Sequence, residues 1–159
     1  PQVAAAGDRV YFGSQDAYEV RVFRSEGVLD RLVRLSRAPV DVTDADMAAY
    51  IQAELEGVEE TDLPARRQAL EEMPRMEIHP ANGSLMADRA GYLFVEDFRT
   101  PGAEKVTVND FDPDGRLVGG FDLSTELSVL EIGEDYLLAL FEDELEVEYV
   151  GLYRLARPS

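Results

Sequence analysis

The sequence predicts a mainly β fold. It reads as about three repeats of an antiparallel four-stranded unit, the last one incomplete, with a helical hairpin inserted between the first and the second. Three observations lead there. A strand–turn–strand phrase occurs three times, the aromatic positions Phe111 and Tyr153 of its last two copies lie 42 residues apart, and between residues 39 and 80 the apolar period changes from two to about 3.6. A spacing of 42 residues matches one four-stranded propeller blade. The 88 residues from Phe23 to Phe111 equal one such unit plus an insertion of similar length.

In chain order, the first copy has Asp8-Arg9-Val10-Tyr11-Phe12, then Tyr18 to Phe23, a turn at Ser25-Glu26-Gly27, and Val28 to Val33. Tyr18, Val20 and Val22 alternate with Glu19 and Arg21, as a half-buried strand requires. Pro39 ends the sheet pattern, and Thr43 or Asp44 can cap a helix whose apolar residues are Met47, Tyr50, Ile51, Leu55 and Val58. A second helix begins near Asp62-Leu63-Pro64, where proline is tolerated, and runs through Leu70 towards Met73. The second copy has Ser84 to Ala87, Gly91 to Val95, Lys105 to Phe111, a tight turn at Asp112-Pro113-Asp114-Gly115, and Arg116 to Phe121. Gly119-Gly120 within that last strand marks a bulge or close packing. The third copy has Ser128 to Ile132, Asp135 to Phe141 with its doubly apolar run Tyr136 to Phe141, and Glu146 to Tyr153, where Val147 and Tyr149 alternate with Glu146 and Glu148. The organisation is therefore a blade at 1–38, a helical insertion at 39–80, a blade at 81–127 and an incomplete terminal blade at 128–159.

Charge and composition exclude several partners. There are 33 acidic against 15 basic residues, a formal charge of −18, and ten acids with no Lys or Arg lie between Leu117 and Tyr153. Phosphate binding by counterion release is disfavoured there, so nucleic acid is not an expected partner. No apolar run approaches the ~20 residues of a membrane span. Without cysteine there is no disulfide, thiolate metal site or cysteine nucleophile. His79 is the only histidine, which removes a two-histidine metal site and leaves little room for a Ser-His-Asp triad. Arginine outnumbers lysine fourteen to one, a bias typical of a GC-rich bacterial genome.

The phrase Phe111-Asp112-Pro113-Asp114-Gly115-Arg116-Leu117-Val118, with its looser counterpart Phe23-Arg24-Ser25-Glu26-Gly27-Val28-Leu29, resembles the blade motif of bacterial six-bladed β-propellers of the NHL-like type. The first copy departs from that motif at the proline and at the acidic turn residues. The resemblance covers residues 8–35 and 84–157. It implies the C-terminal part of a propeller, truncated at its N-terminus, periplasmic or otherwise outside the cell or on its envelope. It also implies an exposed sheet edge after Tyr153 and an uncovered apolar face near Val3 to Ala6, to be met by missing blades or by a second copy of the chain.

The function expected on this basis is a non-enzymatic binding module that presents the helical insertion to a protein or small ligand, with no cofactor. Its candidate contact residues are Tyr50, Arg66, Arg67, Arg75 and His79, because there an acidic chain gathers cations beside aromatic and imidazole groups. The competing expectation is that these arginines pair with Glu71, Glu72 and neighbouring acids. The alternative function, eligible only through the resemblance, is a Ca²⁺-dependent lactonase or esterase with the ion in a completed channel and Asp88 and Asn109 as candidate ligands. Two acidic segments read more simply as structure than as cation sites. Asp112 to Gly115 is explained as a turn and has Leu123 where a calcium loop needs Glu, and Glu142-Asp143-Glu144 with Glu146 and Glu148 is explained as a solvated loop and strand face.

Overall fold

A computed structural model describes residues 2–156. They form a mainly β protein with antiparallel sheets of four, four and three strands and two helices. The first sheet has the order β1 (Gln2–Ala6), β2 (Arg9–Ser14), β3 (Glu19–Arg24), β4 (Leu29–Arg34). Helices α1 (Asp44–Leu55) and α2 (Leu63–Glu71) follow. The middle sheet is β5 (Leu85–Ala87), β6 (Leu93–Glu96), β7 (Lys105–Phe111), β8 (Leu117–Ser124), and the third is β9 (Ser128–Ile132), β10 (Tyr136–Glu142), β11 (Glu148–Arg154). The strands of each sheet pair in chain order, so every link is a local hairpin.

The turns explain why the phrase repeats. In the β7–β8 turn, Gly115 has φ +81° and its N–H donates to the Asp112 carbonyl, while Asp112 Oδ1 accepts from the N–H groups of Asp114 and Arg116. The β10–β11 turn is built the same way around Asp143, which accepts from Leu145 and Val147 N–H, but Glu146 occupies the left-handed position at φ +59°. This corrects the expected start of the last strand. Glu146 is bent into the turn, and β11 begins at Glu148. These backbone donors, Val147 first, also hold the Asp143 carboxyl below its ordinary range, and a turn rather than a cation site accounts for this acidic segment.

A second correction concerns β1. Its Gln-Val-Ala-Ala-Ala sequence has little β propensity, so no strand was expected there, yet β1 pairs with β2 over five residues and completes the first sheet. Gly119-Gly120 resolves as close packing at Gly120, where an added Cβ would lie 2.9 Å from the Val108 carbonyl oxygen. The irregularity in the β7–β8 ladder falls next to the pair, between Asp110 and Phe111.

Two compact units result. The larger contains the three sheets. The smaller comprises Ala38–His79 with Thr100–Ala103 and holds both helices. In the larger unit, one core joins Tyr11, Tyr18, Val20, Val22 and Val33 of the first sheet and its loop to Leu85, Leu93, Val95 and Phe111 of the middle sheet. The other joins Phe94, Val106, Val108 and Leu123 of the middle sheet to Ile132, Leu137 and Ala139 of the third. The middle sheet is thus apolar on both faces, and β1 packs near β5 as β5 does near β9.

The registers of the sheets correspond at several pairs. The cross-strand pairs Val3–Phe12, Ala5–Val10 and Val10–Phe23 of the first sheet correspond to Leu85–Val95, Ala87–Leu93 and Leu93–Phe111 of the middle sheet. Leu137–Tyr153 is the counterpart of Leu93–Phe111 in the third sheet.

Candidate functional site

In the smaller unit, Thr43 and Asp46 form a capping box. The Thr43 hydroxyl oxygen accepts from Asp46 N–H at 3.1 Å, and Asp46 Oδ2 accepts from Thr43 N–H at 2.8 Å. Pro64 sits in the first turn of α2. Val42 N–H donates to Glu77 O and His79 N–H to Val40 O, closing the ends of the segment on each other.

Spacing of four residues places Asp46, Tyr50 and Glu54 along one stripe of α1. Two of the candidate cations are tied to that stripe. His79 Nε2 lies 3.2 Å from Asp46 Oδ2, and Arg66 Nη2 lies 2.5 Å from Glu54 Oε2. Arg75 bonds Asp44 at 2.6 Å and the Val42 carbonyl at 2.7 Å. The expected arginine–acid pairing therefore exists, but with Glu54 and Asp44 rather than Glu71 and Glu72, because the chain reversal brings α1 acids within reach. Arg67 makes no ion pair among the described residues and is exposed. Tyr50 is half-buried, and His79 is packed with its side chain only 8% exposed.

The Thr43 hydroxyl, then its backbone N–H and His79, hold the Asp46 carboxyl down at about 2. A depressed carboxyl stabilises the fold above its unfolded value and loses that contribution as pH falls through its folded value. The start of α1 is therefore expected to stay intact at pH 5 and to fray between about pH 4 and 2. Thr43→Ala should cost about 1 kcal/mol of helix stability and move the fraying to higher pH. Amide hydrogen exchange at Ala45 to Met47, followed against pH, reads both effects; a Thr43→Ala profile identical to wild type would refute the capping role.

A second polar group lies in the larger unit and was not anticipated. Arg37 pairs with Asp97 at 2.7 Å and sits 5.5 Å from the centre of the Tyr18 ring. Asn109 Nδ2 donates to Asp97 Oδ1 at 2.9 Å and to the Val95 carbonyl at 3.4 Å. Burial, reinforced by Asp97, raises the Tyr18 hydroxyl well above its ordinary value. Nearby, the Glu96 carboxylate, only 2% exposed, accepts from Ser84 Oγ and Arg99 Nε, while Arg99 also donates to the carbonyls of Thr125 and Leu127. Each of these strong donors is matched by an acceptor, so the group works as a polar tie within the sheets. Nothing in the apolar run before Glu96 signals that its carboxylate is buried.

The two candidate metal ligands are not brought together. Asp88 closes the turn to β6 by accepting from Tyr92 N–H at 2.9 Å, whereas Asn109 lies opposite Val95 and is committed to Asp97. Asp88 lies at the level of Tyr92 and Asn109 at that of Val95, three residue steps and roughly 10 Å apart along a strand. Among the described residues no group of three or more His, Cys, Asp or Glu side chains is placed to hold a metal ion, and no helix is long and apolar enough to cross a membrane.

Two further features are open surfaces of the sheets. A groove of about 530 Å³ lies between the outer parts of the middle and third sheets, lined by Asp110, Gly119, Gly120, Phe121, Leu137 and Tyr153 among others. At the matching corner of the first and middle sheets, Arg31 donates to the Pro113 carbonyl and Val33 packs on Gly115. At the groove Gly119 stands where Arg31 stands in the first sheet, and the third sheet has no fourth strand among the described residues. The outward faces of the first and third sheets are apolar: Val3 is 61% exposed and Phe12 37%, and Val150 and Leu152 are 62% and 71% exposed.

Compared with known proteins, the chain matches no family model and no curated protein.

Proposed function

We propose that this chain is a non-enzymatic binding module: three consecutive blades of a six-bladed, NHL-like bacterial propeller, working in the periplasm or outside the cell, that presents the helical unit to a protein or small ligand. Three features support the blade reading. The strands of each sheet pair in chain order, the first two sheets match in register over their first three strands, and the first strands contact successively, β1 with β5 and β5 with β9.

The observation that carries the binding role is the build of the helical unit. It folds as a compact body with its own cap and closing backbone bonds, its exposed Arg66 and Arg75 pair with α1 acids, His79 is packed against Asp46, and Arg67 is exposed with no ion pair among the described residues. The half-buried stripe Asp46, Tyr50 and Glu54, with the exposed arginines Arg66 and Arg75 beside it, suits recognition more than bond-breaking chemistry.

Placing a photo-crosslinking phenylalanine analogue at position 67 tests this. In extracts of the source bacterium it is expected to give a discrete adduct identifiable by mass spectrometry, weakened by Tyr50→Ala, with no such adduct from the same probe at Asp16. An identical pattern from both positions, or no adduct at 67, would overturn the binding role.

A further inference from the structure

We infer that two copies of this chain associate head to tail, the outward face of the third sheet of each seating on the outward face of the first sheet of the other, and close as a dimer. The inference rests on the blade reading above and names the partner of its open faces.

The first argument is register. In the first sheet the outward residues Val3, Ala5, Val10, Phe12 and Phe23 occupy the positions of Leu85, Ala87, Leu93, Val95 and Phe111 in the middle sheet. Leu85, Leu93, Val95 and Phe111 are buried against the first sheet, so this face already has a working template within the chain for receiving a neighbour. In the third sheet the outward pairs are Leu138–Leu152 and Leu140–Val150. Leu138 stands where Tyr11 and Phe94 stand in the first and middle sheets, and Val150 where Val20 and Val108 stand. Those four equivalents are all buried under the next sheet, whereas Val150 and Leu152 lie bare. One open face therefore has the donor pattern and the other the receiver pattern of the contact this chain makes twice internally.

The second argument is charge. Residues 2–37 carry six arginines against five acids, in a chain of net −18, while residues 128–156 carry eight acids and one arginine. The placement is specific. Arg21 and Arg34 are exposed on the outward face of the first sheet, sharing Glu19. Glu142 and Glu148 pair across strands on the outward face of the third sheet, next to Leu140–Val150. Stacking in the internal register sets Glu148 beside Arg21, because their equivalents Tyr18 and Asn109 meet where the first sheet packs on the middle one, Tyr18 also lying 6.3 Å from the Phe111 ring. Opposed charge at the rim of two apolar faces fixes register and disfavours like-to-like pairing of first sheet with first sheet or third with third. Because each copy offers two different faces, the contact is heterologous and closes only if rotation brings the second pair together; six sheets from two copies is the closure proposed.

The test is absolute mass by light scattering across a dilution series of the whole chain, with circular dichroism to verify folding. Wild type is expected to form a dimer that dissociates on dilution. Phe12→Asp and Leu152→Asp, each placing a charge in the contact, are expected to weaken association roughly 100-fold. Mixed together they should recover association through one contact, since the intact third sheet of the first variant can seat on the intact first sheet of the second, while the other contact, carrying both aspartates, stays open and leaves the mixed pair weaker than wild type. Arg21→Glu should weaken the dimer and Glu148→Arg introduced with it should restore it, a readout independent of the apolar variants.

A wild type that is monomeric throughout, a mass above two copies, or variants that do not complement would overturn the inference. Arg67→Glu is expected to leave the dimer intact; a dimer lost there but kept in Phe12→Asp would move the contact to the helical unit, overturning the sheet-face inference while the binding reading stands. Conversely, loss of the position-67 adduct with an intact sheet-face dimer would remove the helical-unit reading alone.

Discussion

Arg99→Ala is expected to lower the unfolding free energy by about 3 kcal/mol, towards the lower end of the range for breaking a buried ion pair. Glu96 is almost wholly out of water, and Arg99 is its charged partner. Removing the guanidinium leaves a buried carboxylate held by Ser84 alone and strips a donor from the carbonyls of Thr125 and Leu127, which link the middle sheet to the segment leading into β9. Arg99 itself is about a third exposed, so water can reach the vacated space and moderate the loss. The double variant Arg99→Ala/Glu96→Gln should be less destabilised than Arg99→Ala, because the charge goes with its partner. Urea denaturation of both variants decides it: equal midpoints would show that no uncompensated charge is created, and a loss under about 1 kcal/mol would show that the tie carries little of the fold.

Phe94→Ala should cost about 3–5 kcal/mol, the usual range for emptying an aromatic site in a core. Phe94 is fully buried on the face of β6 that meets the third sheet, among Val106, Val108, Leu123, Ile132, Leu137 and Ala139. Few neighbours can move to fill the space, since all lie on paired strands. The loss should be concentrated in β9 to β11, where hydrogen exchange is expected to rise first, because that sheet is held to the rest chiefly through this core. Leu145→Ala, at an 82% exposed position in a turn, should stay within about 0.5 kcal/mol. Comparable losses for the two variants would refute the assignment of the core to the Phe94 face.

Much of the fold was legible in the sequence for a simple reason: antiparallel hairpins and helix caps are local. Alternation at Tyr18 to Val22, the Asp112 to Gly115 turn, the Thr43 cap and Pro64 each specify a few neighbouring residues, and each element forms there, with boundary shifts of a residue or two at Gly91–Leu93 and Glu146–Glu148. Strand β1 is not legible in the sequence because alanine carries little β propensity; its pairing with β2 is decided by the sheet it completes, not by its own composition. The candidate cations were found as a group, but their partners Asp44, Asp46 and Glu54 depend on a chain reversal that residue spacing along one helix does not reveal.

The sequence alone therefore determined the mainly β class, the antiparallel hairpins, the two helices and the net acidic charge, since these follow from periodicity, turn chemistry and composition. Tertiary structure decided which face of each strand is covered, where Glu96 and Arg99 meet, that Asp88 and Asn109 stay apart, and that the first and third sheets keep bare apolar faces. A strand's two faces look alike in a doubly apolar run such as Tyr136 to Phe141, and only the packing of one sheet on the next distinguishes the buried face from the open one.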